Sequence, residues 1–196
     1  MRQSKHPLYW VYSGSILLLI PVSIMLLGLY EKSLSLQSTL PSIPPKEVML
    51  LRLAAFDSTA SAFHLKEVYQ ATPAPRSGVL SAYRVLTEDG ALAYKLVVVR
   101  HDIACATCRD LLVGILIAPG ENRVAGVLPL EPWELADGRF DPTAFFAQLT
   151  GRVLSEPLVV GRDIDGITGA TLSVNALVTQ WSQARNWLSE FKGTDF

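Results

Sequence analysis

The chain has 196 residues, 49% of them apolar, and can hold one membrane segment and one folded domain. Its formal charge of −1, from 17 basic and 18 acidic residues, leaves no basic footprint and so no reason to expect nucleic acid as a partner. There is no long run of like charge and no internal repeat.

Leu8 to Tyr30 contains no charged residue over 23 positions, long enough to span a bilayer as a helix. Tyr9, Trp10, Tyr12 and Tyr30 stand at its ends, where interfacial aromatics belong, and Pro21 at its centre is compatible with a membrane helix. Arg2 and Lys5 precede it, and Glu31 and Lys32 follow. This charge distribution favours an inside N-terminus and an outside C-terminal domain. A cleaved signal peptide is the competing reading. Its apolar run would be long for that role, and Ser33-Leu-Ser35 makes a poor cleavage site. Residues 1–30 are therefore expected to be a tail and single transmembrane helix, and 31–46 a linker ending in Pro41-Ser-Ile-Pro-Pro45, where prolines stiffen the spacer. A soluble domain is expected over 47–196.

Within that domain, Val48 to Ala55 reads as helix, and so does Ser58 to Gln70, with Phe63 and Val68 as candidate core residues. Thr72-Pro-Ala-Pro-Arg-Ser-Gly78 is a loop by its punctuation. Two hairpins follow. Val79–Leu86 and Ala91–Arg100 are joined by Thr87-Glu-Asp-Gly90, in which Asp-Gly favours a tight turn. Leu111–Ala118 and Arg123–Leu130 are joined by Pro119-Gly-Glu-Asn122. Asp141-Pro142 starts a helix as N-cap and first helical residue, with Phe145, Phe146 and Leu149 inward and Gly151 ending it. A long amphipathic segment runs from Thr171 to Phe191, with Val174, Leu177, Trp181, Ala184, Leu188 and Phe191 at spacings of three and four. That stripe is core contact rather than a cofactor box. Helices and hairpins are segregated rather than alternating, so the predicted class is α+β with an antiparallel sheet and flanking helices.

Asp165-Gly-Ile-Thr-Gly-Ala-Thr171 sits between the apolar run Leu158–Val160, read as a strand or extended edge, and the last helix. Thr168 and Thr171 bring hydroxyls to the turn, Gly169 permits close backbone approach, and the free N–H groups of a helix start favour an anion. The plain alternative is a helix capped by Thr168 or Thr171. The string itself resembles the flavinylation motif of the FMN-binding domain family, represented by the C and G subunits of the sodium-pumping NADH:quinone reductase and of Rnf complexes. That motif reads Asp, two variable positions, Ser or Thr, Gly, Ala, Thr. The resemblance implies FMN bound covalently by a phosphoester to Thr171, installed by a separate flavin transferase that takes FMN from FAD. Asp165, Thr168, Gly169, Ala170 and Ser173 would be further cofactor-binding positions. It also implies an electron-carrying subunit of an oxidoreductase complex rather than a stand-alone enzyme. The partners would be membrane redox subunits and membrane lipid, and the location the bacterial inner membrane with the domain on the periplasmic side.

Cys105-Ala-Thr-Cys108 lies in the connection between the hairpins. A disulfide suits an oxidising compartment, and a redox-active dithiol is possible at this spacing. A metal site would need further ligands, for which His64, His101 and Asp102 are candidates, so no metal is expected. Arg109 stands where c-type haem attachment needs histidine, which removes that reading. His64 and Arg162 are expected at the surface, Asp102 and Asp110 as solvated loop charges, and Trp133 in the core. No catalytic triad or carboxylate pair is expected. Two other functions compete with electron relay: an extracytoplasmic binding or sensory module of the same fold without flavin, and a thiol–disulfide protein using Cys105 and Cys108.

Overall fold

The computed structural model describes residues 43–58, 62–102, 111–130, 142–166, 171–191 and 196. They belong to one compact unit, Pro41–Phe196. Helix α1 (Lys46–Phe56) leads into five strands: β1 (Phe63–Gln70), β2 (Gly78–Thr87), β3 (Leu92–His101), β4 (Leu111–Ile117) and β5 (Val124–Pro129). Helices α2 (Pro142–Ala147) and α3 (Thr171–Glu190) follow. The strands form one antiparallel sheet in the order β1-β2-β3-β4-β5, each pairing with its predecessor in sequence.

The sheet has helix on both faces, and strand alternation sorts the core accordingly. Val97, Val99, Val113, Ile115 and Val127 point to the side carrying α2 and α3, where they pack with Phe145, Leu149, Val174, Leu177 and Trp181. Leu96, Val98, Leu112, Leu116 and Leu128 point to the other side, where Met49 and Leu53 of α1 meet them. Double coverage explains why β4, Leu-Leu-Val-Gly-Ile-Leu-Ile, is buried at every residue and reads as a continuous apolar run.

Both predicted hairpins form. In the first turn Gly90 has φ +82°, a conformation that glycine adopts without a Cβ penalty, and its N–H donates to Thr87 O at 2.9 Å. Phe145, Phe146 and Leu149 are buried as expected, and Gly151 reverses the chain at φ +81°. The predicted stripe of α3 faces inward at Val174, Leu177, Trp181 and Ala184, while Leu188 and Phe191 are half-buried.

Two expectations are corrected. Within the range Ser58–Gln70 expected as helix, Phe63–Gln70 is the edge strand β1, paired with β2. Phe63 turns in and His64 out, the period-2 alternation of a strand with one wet side. Val68 is only half-buried, because the register slips between Glu67 and Tyr69 and leaves it without a partner on β2. Leu158–Val160 is not a strand of the sheet either. Val160 forms one isolated bridge, to Ile164, within a local turn. Among the described residues no helix is long and apolar enough to cross a membrane. Leu8–Tyr30, the expected span, lies outside them, as do the linker up to residue 42, Trp133, the Cys105/Cys108 pair, Asp110 and Asp141.

Candidate functional site

The segment before α3 is held by an arginine–carboxylate knot. The Asp163 carboxylate accepts from Val159 N–H at 2.8 Å and from Arg162 Nη2 at 2.9 Å and Nε at 3.2 Å. Arg152 approaches the same carboxylate at 3.7 Å, donates through Nη2 to Asp163 O, and donates through Nε to Gln148 O at 2.9 Å. Gly161 N–H donates to Ile164 O at 2.8 Å and closes the turn. The hydrogen bond from Arg162, then that from Val159 N–H and the nearby positive charges, hold the Asp163 carboxyl below the usual carboxylate range. Arg162 is thus at the surface, as expected, and its guanidinium is committed to Asp163 rather than held open for a phosphate.

The motif enters from this knot. Asp165 N–H donates to Gln148 Oε1 at 2.8 Å, which ties the first motif residue to the turn after α2. Asp165 and Gly166 are exposed, and Val160 packs beside Gly166. Ile167, Thr168, Gly169 and Ala170 lie outside the described residues. Thr171 is the first residue of α3 and is exposed, Leu172 beside it is 58% exposed, and Ser173 is half-buried. An exposed hydroxyl therefore stands on the first turn of a helix of 20 residues, the end at which unpaired N–H groups and the helix dipole favour negative charge. This position suits a phosphate joined through Thr171 Oγ1, which for FMN would be a phosphodiester, with the first-turn N–H groups beside it.

What keeps that helix start in place is the rest of α3. Trp181 is buried and donates its indole N–H to Glu156 O at 2.8 Å, joining α3 to the 152–163 turn. A small cleft of about 150 Å³ lies between Trp181, Glu156 and the Arg152/Asp163 pair. Gln180 is wholly buried, and its Nε2 donates to Val99 O at 3.0 Å and Leu111 O at 2.7 Å. It joins α3 to Val99 near the end of β3 and to the first residue of β4, the two roots of the connection that carries Cys105 and Cys108. Sequence reasoning passed over Gln180. The signal was there, because 180 falls three after Leu177 and four before Ala184, inside the apolar stripe.

His64 is exposed as expected, on a strand rather than a helix. Asp102 pairs with Arg76 at 3.9 Å, and its N–H donates to Ser77 Oγ at 2.9 Å. Among the described residues no group of His, Cys, Asp and Glu is placed to hold a metal. No family model, curated protein or solved structure matches this chain. The reading of the site rests on the motif and on the geometry around it.

Proposed function

We propose that the protein is a membrane-anchored electron-transfer flavoprotein that carries FMN as a phosphoester on Thr171. The observation that carries the reading is the exposed Thr171 hydroxyl on the first turn of α3, at the end of Asp165-Gly-Ile-Thr-Gly-Ala-Thr171. Thr171 would hold the phosphate covalently, with the first-turn N–H groups and Ser173 beside it. Asp165, held by Gln148, and Thr168, Gly169 and Ala170 would present the hydroxyl to a flavin transferase. Bound FMN supplies the redox chemistry, and the chain fixes where it stands. The helix dipole contributes only about 0.3–1 kcal/mol at an exposed site, too little to retain FMN alone. A permanent carrier at this position needs the covalent bond. Leu8–Tyr30 would anchor the chain in the inner membrane with the domain on the periplasmic side, beside membrane redox subunits that donate and accept electrons.

The test is in-gel flavin fluorescence after denaturation, with peptide mass analysis, on protein from cells that contain the transferase. Wild type should fluoresce and Thr171→Ala should be dark, whereas Thr168→Ala should lose less. Fluorescence that persists in Thr171→Ala, or a flavin on another peptide, overturns the assignment. Colourless wild type instead selects a binding or sensory module.

A further inference from the structure

β5 is an edge strand of the sheet and borders a cleft of about 350 Å³, within the size range of pockets that take small organic ligands. Phe56 from α1 and Phe146 from α2 line it, with Arg52 and Thr150 at its polar margin. Its floor is Gly126, where an added Cβ would overlap the Phe56 ring. The glycine thus lets an aromatic ring lie on the strand. Phe56 remains 42% exposed, so part of that ring is open.

The register of β5 decides what the cleft can recognise. Leu130 N–H donates to Leu112 O, and in the same register Leu128 and Gly126 are the residues that bond to β4. Val127 alternates with them, so its N–H and C=O both turn away from β4, toward the cleft that Val127 lines. Among the described residues, only the start of β5 has a neighbour on this side, through the bridge between Arg123 and Val153 and the bonds of Val124 with Gly151 and Arg152. A further strand would not continue along this edge, because Pro129, the next outward residue, has no N–H to give. The polar signature is the N–H and C=O of Val127 side by side, with the outward C=O of Pro129 further along, aromatic rings beside them and a guanidinium at the rim.

We propose that this cleft binds a planar aromatic ring through an imide edge, the O=C–N–H group of a flavin-type heterocycle, paired with the N–H and C=O of Val127. The ring packs against Phe56, and Arg52 faces a ring carbonyl. Two sources present this chemistry: the isoalloxazine tethered at Thr171, or a free flavin. The tethered source rests on the FMN reading above; the cleft itself does not. Gln148, which holds Asp165, lies in the turn that also supplies Thr150 to the cleft, so the motif and the cleft share one support.

The experiment uses the full chain in detergent, made without a flavin transferase, and equilibrium dialysis with three probes. Lumiflavin has the imide, 3-methyllumiflavin lacks its N–H, and menadione is planar with carbonyls but no imide. Lumiflavin should bind at one per chain, with affinity at least tenfold above both other probes, and Phe56→Ala and Arg52→Ala should each weaken it at least fivefold. Arg52 is exposed, so its variant keeps the fold, and circular dichroism melts check both. Absence of lumiflavin binding, equal binding of the N3-methyl probe, or indifference to both substitutions overturns the proposal. A second arm repeats the titration on flavinylated chain: exclusion of lumiflavin identifies the tethered ring as the occupant, and undiminished uptake identifies a free one. Failure of flavinylation removes only this second arm.

Discussion

The two faces of the sheet are covered in different ways. On one, α3 runs for 20 residues, buries Val174, Ala176, Leu177, Gln180, Trp181 and Ala184, and hydrogen-bonds to the sheet through Gln180. On the other, α1 runs for 11 residues, buries only Met49 and Leu53, and leaves Leu51 71% exposed. Tyr94 fastens its end, with the phenol donating to Asp57 Oδ2 at 2.7 Å and the ring edge-on to Phe56 at 6.2 Å. The long helix is the fixed platform, and it presents the candidate attachment residue at its first position. The short helix is a lighter cover, and the cleft opens at its margin. The two covers thus differ in weight, and the cleft lies at the β5 edge where Phe56 from the light cover and Phe146 from the opposite side meet.

The contrast is broken most strongly by Trp181→Ala, which removes the largest buried side chain of α3 and its bond to Glu156 O. A loss of about 3–5 kcal/mol is expected in urea unfolding, with the transition still cooperative. Leu53→Ala on the opposite face should cost about 2–3 kcal/mol, toward the lower part of the large-to-small range, because a short and partly exposed helix can settle into the space. A loss equal to that of Trp181→Ala would mean that the two covers are energetically alike. Gln180→Leu should cost about 1–3 kcal/mol, since Val99 O and Leu111 O lose a buried donor. Hydrogen exchange should accelerate at the ends of β3 and β4 while α1 is unaffected.

The smallest effect is expected at Tyr94→Phe, about 0.5–1.5 kcal/mol for one hydrogen bond. Burial, then the bond to Asp57 and its charge, push the Tyr94 phenol up to about 12. A raised phenol pKa means that the fold prefers the neutral form. Its contribution is fully present below the unfolded value near 10 and fades as pH rises through about 12. Absorbance titration near 295 nm should show a late step that Tyr94→Phe removes, leaving that of Tyr83, whose phenol burial also raises. An unchanged titration would detach Tyr94 from Asp57.

Much of this fold is legible in the chain. Asp89-Gly90 and Pro119–Asn122 mark the hairpin turns because few residues reverse a strand tightly, and the three-and-four spacing from Val174 to Ala184 marks α3 because only a helix puts those positions on one side. β1 was not legible as a strand. An edge strand meets water along one side, so His64, Lys66 and Glu67 dilute its apolar signal, and Lys and Glu also favour helix. Leu158–Val160 was misread for the converse reason: an apolar triplet next to Ile164 can be consumed by a turn. Thr171 and Asp165 were legible as a motif, but the knot of Arg152, Asp163 and Gln148 was not, since its members are 11 and 17 positions from their partners and carry no local period. The cleft was illegible as well, because it depends on the register of β5 against β4.

The strand order has a consequence for how the molecule is made. Every strand pairs with the one synthesised just before it, so the sheet can grow hairpin by hairpin as the chain emerges, with few long loops to close. The long helix that covers Val97, Val99, Val113 and Ile115 appears only after all five strands. Until α3 arrives, the nascent protein carries a finished sheet with one bare greasy side, the kind of surface on which chains stick to one another. A chain interrupted anywhere between Pro129 and Thr171 would have the architecture of the protein and the solubility of an intermediate. The same helix that starts with the candidate attachment residue is thus also what closes the exposed side of the newborn domain.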